Sequence, residues 1–299
     1  MTARSGNSIG ETRQEGPSVA LALGGGGARG LAHILVLEVL DELGIRPKLI
    51  AGTSIGALMG AGYALGIPGY RLRAIMEESL GGRFELVRQL FASRSQPASK
   101  LLRFLPIRTA LLNSEGLLER LVPELNDRTF ADLAIPLKVV ATDIAGHEAV
   151  VFEDGPLRRA VAASIAIPLV FSPIIDGPRV LMDGGLINPL PFDLLDGAAD
   201  LTIAIDVSGA SGGVEMGPHP APAEVMIRSI QIMEKTITRQ KLALRQPDLY
   251  FDIRLDQFNA LEFWRAKEIL EAAAPVKETL RRQIRRLVAA KPIQEIATS

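Results

Sequence analysis

The sequence predicts an α/β fold with a mainly parallel sheet, and three observations carry that prediction. Short apolar runs alternate with stretches of helical periodicity, glycine-rich turns stand where runs meet helices, and the chain is long and apolar enough to bury one large core. It has 299 residues, 47% of them hydrophobic, with 33 basic against 34 acidic side chains. That composition fits a globular chain rather than a disordered or fibrous one, and we read one domain over 17–299 after a loose tail at 1–16.

Val19–Leu23 reads as a buried strand. Four glycines follow it, and then Leu31, Ile34, Leu35, Leu37, Val39 and Leu40 recur with the period of a helix that ends near Gly44. Lys48–Ala51 reads as the end of the next strand, and Ile55 opens a second helix of small residues. Strand, helix, strand, helix in this order implies a right-handed parallel crossover, whose active sites gather at the carboxyl ends of the strands. Both the glycine loop and Ser54 fall at such ends.

The stretch from Gly81 to Leu112 differs in character. It carries Arg83, Arg88, Arg94, Lys100, Arg103 and Arg108 against Glu85 alone, among phenylalanines and leucines. Arginine mixed with Phe and Leu suits a surface that approaches anionic headgroups, so we read 81–115 as a lid or membrane-docking insertion. Regular signals resume with strands at Leu137–Thr142 and Ala149–Phe152 around a hairpin turn at Ala145–Glu148, and a helix at Leu157–Ser164. Val180–Met182 is a short strand running into Asp183-Gly184-Gly185, and Thr202–Val207 is another buried strand. Residues 208–223, rich in Gly, Pro and Ser, read as a mobile loop. The remainder, 224–299, reads as mostly helical: helices at Glu224–Arg245, Leu261–Ala274 and Val276–Ala290, with a strand at Leu249–Ile253. The last helix sets Leu280, Ile284, Leu287 and Val288 against Lys277, Arg281, Arg282, Arg285 and Arg286, which suits packing, a subunit contact or a second membrane contact. No internal repeat is evident.

Several functional classes drop out. Near-neutral charge disfavours a general nucleic-acid binder. The absence of cysteine removes disulfides, thiolate catalysis and cysteine-ligated metals. The first 16 residues have no apolar core, and the apolar stretch from Val161 to Ile175 is broken by Pro168 and Pro173, so neither a signal peptide nor a spanning helix is read. A cytoplasmic protein with at most peripheral membrane contact is expected.

Gly52-Thr53-Ser54-Ile55-Gly56 places a serine between two glycines where a strand turns directly into a helix. Such a turn is strained and exposes the side chain at its tip, beside a helix N-terminus that favours developing negative charge. A lone Gly-x-Ser-x-Gly equally suits close helix packing, so its neighbours decide. Gly25-Gly26-Gly27-Ala28-Arg29-Gly30 matches a dinucleotide fingerprint, but the second strand ends in Gly-Thr-Ser rather than the acidic residue that holds a ribose, and no Gly-Lys-Ser/Thr follows for a phosphate loop. What remains is a loop of exposed backbone N–H groups beside a serine, as an oxyanion hole requires.

The three histidines are poorly placed to serve as a base. His33 lies inside the first helix and suits packing or hydrogen bonding, His147 sits in the hairpin turn, and His219 stands between two prolines. Asp183, at the end of a short strand before two glycines, is the better partner for Ser54, although alone it would read as an ordinary Asp-Gly turn. Arg29 suits a salt bridge that fixes the glycine loop, or a positive charge facing a phosphate; the structural role comes first.

Together, Gly25–Gly30, Gly52–Gly56 and Asp183–Gly185 in this order resemble the three signatures of patatin-like phospholipases, and Ala163-Ser164-Ile165-Ala166-Ile167-Pro168 resembles a stretch of bacterial members. The resemblance extends over roughly Val19 to Val207. It implies a three-layer α/β sandwich with a mainly parallel central sheet flanked by helices, and a Ser-Asp dyad acting on lipid acyl esters without metal or cofactor. Carried over by position, Ser54 is the nucleophile, Asp183 the base, and the N–H groups of Gly25, Gly26 and Gly27 the oxyanion hole, with Arg29, Gly30, Gly52, Gly56, Gly184 and Gly185 completing the motifs. A phospholipase A or lysophospholipase is the expectation, with a lipid or fatty-acyl ester as substrate. A carboxylesterase or thioesterase on soluble substrates, and a non-catalytic lipid-binding module, stay open as alternatives. Oligomeric state is not legible.

Overall fold

The computed structural model describes residues 16–82, 112–209 and 222–291. The N-terminal tail at 1–15, nearly all of the basic insertion, most of the loop after Ser208, and His219 lie outside the described residues.

Strands β1 (Val19–Leu23), β2 (Leu49–Thr53), β3 (Leu137–Asp143), β4 (Glu148–Phe152), β5 (Ile174–Asp176), β6 (Arg179–Asp183), β7 (Leu201–Asp206) and β8 (Leu249–Asp252) form one mixed sheet. Its body is parallel, in the order β3-β2-β1-β7-β8. The expected α/β class with a mainly parallel sheet and flanking helices is what the chain adopts. The α-helices among the described residues are α1 (His33–Glu42), α2 (Ile55–Ala64), α3 (Gly69–Gly82), α4 (Ser114–Leu121), α5 (Leu157–Ser164), α6 (Pro222–Leu244), α7 (Ala266–Ala273) and α8 (Val276–Ala290).

The period-2 alternation of the central strands sorts their side chains by size. Leu21, Leu23, Ile50, Val139, Ile203 and Ile205 face the main core with α1 and α2. Ala20, Ala22, Ala51 and Ala204 face the other way, onto Leu190, Phe192 and Leu195, with Leu242 of α6 packed alongside. Alanines on that face let the 3-10 turn Phe192–Leu195 lie directly on the sheet, while each aliphatic side chain on the first face contributes roughly 1.5–3 kcal/mol on burial.

The register of β3 positions the site. A strand has only two hydrogen-bonding edges. The β3–β4 hairpin occupies one edge from Val139 to Asp143. On the other edge, β2 runs parallel as far as Thr53 opposite Val140, and β6 runs antiparallel from Leu181 opposite Asp143 to Asp183 opposite Ala141. β2 and β6 therefore meet head to head. Asp183 does stand at a strand's carboxyl end, but that strand is antiparallel, not one more member of the parallel set.

Other departures from the sequence pattern have local causes. The helix expected from Leu261 begins at Ala266, after a 3-10 turn at Phe263–Arg265. Ala260 is held by its carbonyl, which accepts from Ala28 N at 2.7 Å, and the side chain of Glu262 caps Asn259 N at 3.0 Å. Helices α3 and α4 and strand β5 carry no strong periodic signal and were not expected. The basic helix α8 packs on α1, burying Leu280 and Ile284. Its Lys277 bridges Glu38 at 2.9 Å and Glu42 at 2.7 Å, and Arg281 pairs with Glu42. No helix among the described residues is long and apolar enough to cross a membrane.

Candidate active site

Ser54 is the single residue between β2 and α2, with φ 56° and ψ −127°. A non-glycine residue at positive φ is strained by roughly 1–3 kcal/mol, and it persists because the strand before it and the helix after it fix both sides. Gly56 makes the turn possible: a Cβ there would stand 2.2 Å from the carbonyl oxygen of Leu23, so only glycine lets α2 start against the end of β1. Gly52, in β2, meets the backbone of Ala57 in the same way, and Gly30 meets Ile55.

Ser54 Oγ donates to Asp183 Oδ2 at 2.7 Å. The other carboxylate oxygen of Asp183 accepts from Gly185 N at 2.8 Å, its main-chain carbonyl accepts from Thr142 Oγ1 at 2.8 Å, and its own N–H donates to Ala166 O at 3.0 Å. Asp183 is thus pinned on every side. At 4% exposure, burial pushes its carboxyl up from 3.8 to about 6, against the opposing pull of the Ser54 and Gly185 hydrogen bonds. The carboxylate is still ionised at neutral pH and is a stronger base than an exposed aspartate.

The glycine loop lies alongside. Gly25 approaches Ser54, but its N–H donates to Pro189 O at 2.9 Å. One of the three expected donors is therefore already engaged. The N–H groups of Gly26 and Gly27 have no acceptor among the described residues, and Gly27, at φ 60°, begins the 3-10 turn that leads into α1. A Cβ on Gly27 would lie 2.1 Å from Ala260 O, so the loop is clamped from above as well as below. Arg29 is buried beneath this loop, its Nε donating to Gly26 O at 3.3 Å and its guanidinium near Asp256 and Gly209. It lines neither cavity described below.

Sequence reasoning missed several supporting residues. Ser164 Oγ accepts from Ser54 N at 2.8 Å, which fixes the turn and occupies that N–H. Thr53 Oγ1 donates to Asn188 O at 2.7 Å, so the segment after Asp183-Gly184-Gly185 is tied to both β2 and the glycine loop. Nothing in the spacing of Asn188 or Pro189 marks them out, because both act through main-chain carbonyls. His33 fills a structural place: its Nε2–H donates to Gly24 O at 2.8 Å, and burial pushes its pKa down to about 4. His147 lies in the β3–β4 turn, at φ 58° and away from Ser54. No cluster of three or more possible metal ligands occurs among the described residues.

Ser54 stands between two cavities. The larger is almost wholly apolar and is walled by Leu58, Met76, Leu80, Leu118, Ile165 and Phe171 among others. The smaller is the more polar of the two: Gly25, Gly26, Gly27, Asp183, Gln231 and Glu234 line it together with Ile167, Leu186 and Ile230. A strained serine bonded to a buried aspartate, with free N–H groups beside it and an apolar cavity on one side, has the parts an acyl-transfer site needs.

Residues 21–196 match the patatin-like phospholipase family. The chain belongs to that family. An uncharacterised NTE-family protein of Mycobacterium tuberculosis is 38% identical over 206 residues, covering 68% of this chain and 53% of that protein. Human patatin-like phospholipase domain-containing protein 6 is 35% identical over 195 residues, covering 64% of this chain and 13% of that protein. The chain thus spans about half the length of the mycobacterial relatives and a small part of the human one. Among solved structures, VipD from Legionella pneumophila aligns over 89% of this chain and 67% of its own, with TM-score 0.43 and 16% identity.

Proposed function

We propose that this patatin-like chain is a lipid acyl hydrolase of the phospholipase A or lysophospholipase type, with Ser54 as nucleophile and Asp183 as base. The observation that carries the proposal is the 2.7 Å hydrogen bond from Ser54 Oγ to a buried carboxylate, made where an apolar cavity opens beside the serine. The acyl chain enters that cavity, and the leaving group lies in the polar cleft. Asp183 Oδ2 takes the Ser54 proton as Oγ attacks the ester carbonyl. The resulting oxyanion is held by the N–H groups of Gly26 and Gly27, with Gly25 shaping the loop through its bond to Pro189. Asp183 returns its proton to the departing alkoxide, and then takes one from the water that releases the fatty acid.

An aspartate works here without histidine because its surroundings raise its basicity, and because the hydroxyl it serves is held at hydrogen-bond distance before substrate arrives. The substrate reaches this site from a lipid phase, so the contact with a membrane is peripheral and no nucleic acid, metal or cofactor takes part. Wild type, Ser54→Ala and Asp183→Asn are compared on phospholipids, lysophospholipids and short-chain esters. Both variants lose activity on all of them, and wild type prefers long acyl chains. Activity surviving in Ser54→Ala sinks the proposal, whereas a short-chain preference without stimulation by vesicles transfers the enzyme to the soluble carboxylesterases.

A further inference from the structure

A second acidic side chain reaches the polar cleft, and the mechanism above does not use it. Glu234, on α6, lines the cleft together with Ser54, Asp183 and the glycine loop. A Cβ on Gly185 would stand 2.4 Å from Glu234 Oε1 and 3.1 Å from Asp183 Oδ1. Two carboxyl groups therefore share one small volume, and Gly185 leaves that volume open by having no side chain. No hydrogen bond or ion pair to Glu234 is formed among the described residues, and its carboxyl is part of the wall of the cleft.

Two carboxylates this close, one buried at Asp183 and one half-buried at Glu234, oppose each other's ionisation. The groups that bear on Glu234 come from three further elements. Asp183 at the end of β6 opposes its ionisation, Arg29 below the glycine loop favours it, and Asp206 at the end of β7 opposes it. Asp206 is itself compensated by Lys235 Nζ at 2.8 Å and by the hydroxyl of Tyr250 at 2.7 Å, and Asp256 faces Arg29. Burial is the largest influence, with Asp183 next, and together they push Glu234 up from 4.5 to about 8.

We propose that Glu234 is a functional third carboxyl of the site: kept neutral, it leaves Asp183 the only anion beside Ser54 and turns its O–H toward the leaving-group oxygen. It donates a hydrogen bond and transfers no proton, so the proton balance of the dyad is unchanged. The neutral carboxyl also spares the tetrahedral oxyanion a second negative charge nearby. At high pH Glu234 ionises, the cleft gains that charge, and attack by Ser54 slows. The proposal rests on the dyad reading, and the experiment separates the two.

Labelling of Ser54 by an uncharged fluorophosphonate is followed against pH in wild type, Ser54→Ala and Glu234→Gln. Wild-type labelling falls about tenfold as pH rises through the Glu234 titration, and in Glu234→Gln, whose amide cannot ionise, that alkaline fall is gone while the acid limb stays. An alkaline limb that is absent in wild type, or unchanged in Glu234→Gln, overturns the role of Glu234 but leaves the dyad intact. A wild type that is not labelled at any pH overturns the dyad, and the role of Glu234 with it. A second measurement does not need the Gln variant to fold: in protein carrying 13C at glutamate carboxyls, one wild-type signal titrates near pH 8 and moves down by about one unit or more in Asp183→Asn. The absence of any glutamate titrating above about pH 6 overturns the proposal.

Discussion

Replacing Asp183 by asparagine exchanges activity for stability, and the exchange has a pH dependence that can be worked from the structure. Burial raises the carboxyl from 3.8 to about 6 in the folded protein. A group whose folded pKa is raised contributes stability that is fully present below its unfolded pKa and is lost as pH rises through the folded pKa. The loss for Asp183 therefore develops from about pH 4 to about pH 6, and it amounts to roughly 3 kcal/mol above that window. Asparagine cannot ionise and escapes it. The assay is urea unfolding of wild type and Asp183→Asn at about pH 4.5 and about pH 7.5, and the variant gains about 2 kcal/mol on wild type between the two. Comparing two pH values cancels whatever the amide does to the Ser54 and Gly185 hydrogen bonds at fixed pH. Relief of the opposition between Asp183 and Glu234 adds in the same direction. A stability difference that is flat within about 0.5 kcal/mol shows that Asp183 is not held ionised at a cost, and the argument for its raised basicity falls with it.

Three further outcomes follow from particular contacts. Ser54→Gly and Ser54→Ala both lose hydrolysis, but the glycine variant is the more stable of the two by about 1 kcal/mol, because it relieves the positive φ that alanine retains; equal urea midpoints would refute the strain. Gly27→Ala drives a methyl group toward Ala260 O at a positive φ, so it costs at least about 2 kcal/mol and slows fluorophosphonate labelling; stability within about 0.5 kcal/mol of wild type would show that the loop is not clamped. Leu58→Trp fills the apolar cavity one turn beyond Ser54, and lowers kcat/KM for long-chain esters about tenfold or more while acetyl esters change about twofold at most; a uniform loss on both would place the acyl chain elsewhere.

The sequence was most readable where backbone geometry demands particular residues. Val19–Leu23, Leu137–Asp143 and Leu201–Asp206 are buried strands whose composition leaves few alternatives, and the small-residue helix after Ser54 is written in Gly56, Gly60 and Gly62. Helices such as α4, with only Ser114 and Leu118 buried, offer too short an apolar stripe to read. The direction of β6 was illegible for a different reason: a five-residue strand reads the same whichever way it lies beside β3, and only pairing sets its sense. In the candidate site, residues that act through side chains at motif positions could be found. Ser164 was visible in a motif, but its bond to Ser54 N was not. Asn188, Pro189 and Ala260 act through main-chain carbonyls that any residue could supply, and Glu234 sits in the middle of a long helix whose face toward the cleft is decided by tertiary packing.

The head-to-head meeting of β2 and β6 explains why the motifs are rich in glycine on both sides of the Ser54–Asp183 hydrogen bond. Beyond Asp183, a continuing antiparallel strand would set Gly184 opposite Val140, the place Thr53 already holds. The chain has to leave the sheet there at once. A Cβ on Gly184 would lie 2.2 Å from Val140 O and 3.2 Å from the methyl of Thr53, so a residue with any side chain would push β6 back from β2. The distance between Ser54 Oγ and Asp183 Oδ2 would then lengthen past hydrogen-bond range, since Ser54 follows directly on Thr53, paired opposite Val140, while Asp183 is paired opposite Ala141 on the same edge of β3. Gly56 does the same for Ser54 from the other strand end, against the carbonyl of Leu23. The glycines are thus required by the contact between two strand ends. Under the proposed mechanism Ser54 and Asp183 depend on that contact more than a serine, histidine and aspartate would, because no third side chain spans the gap when it opens.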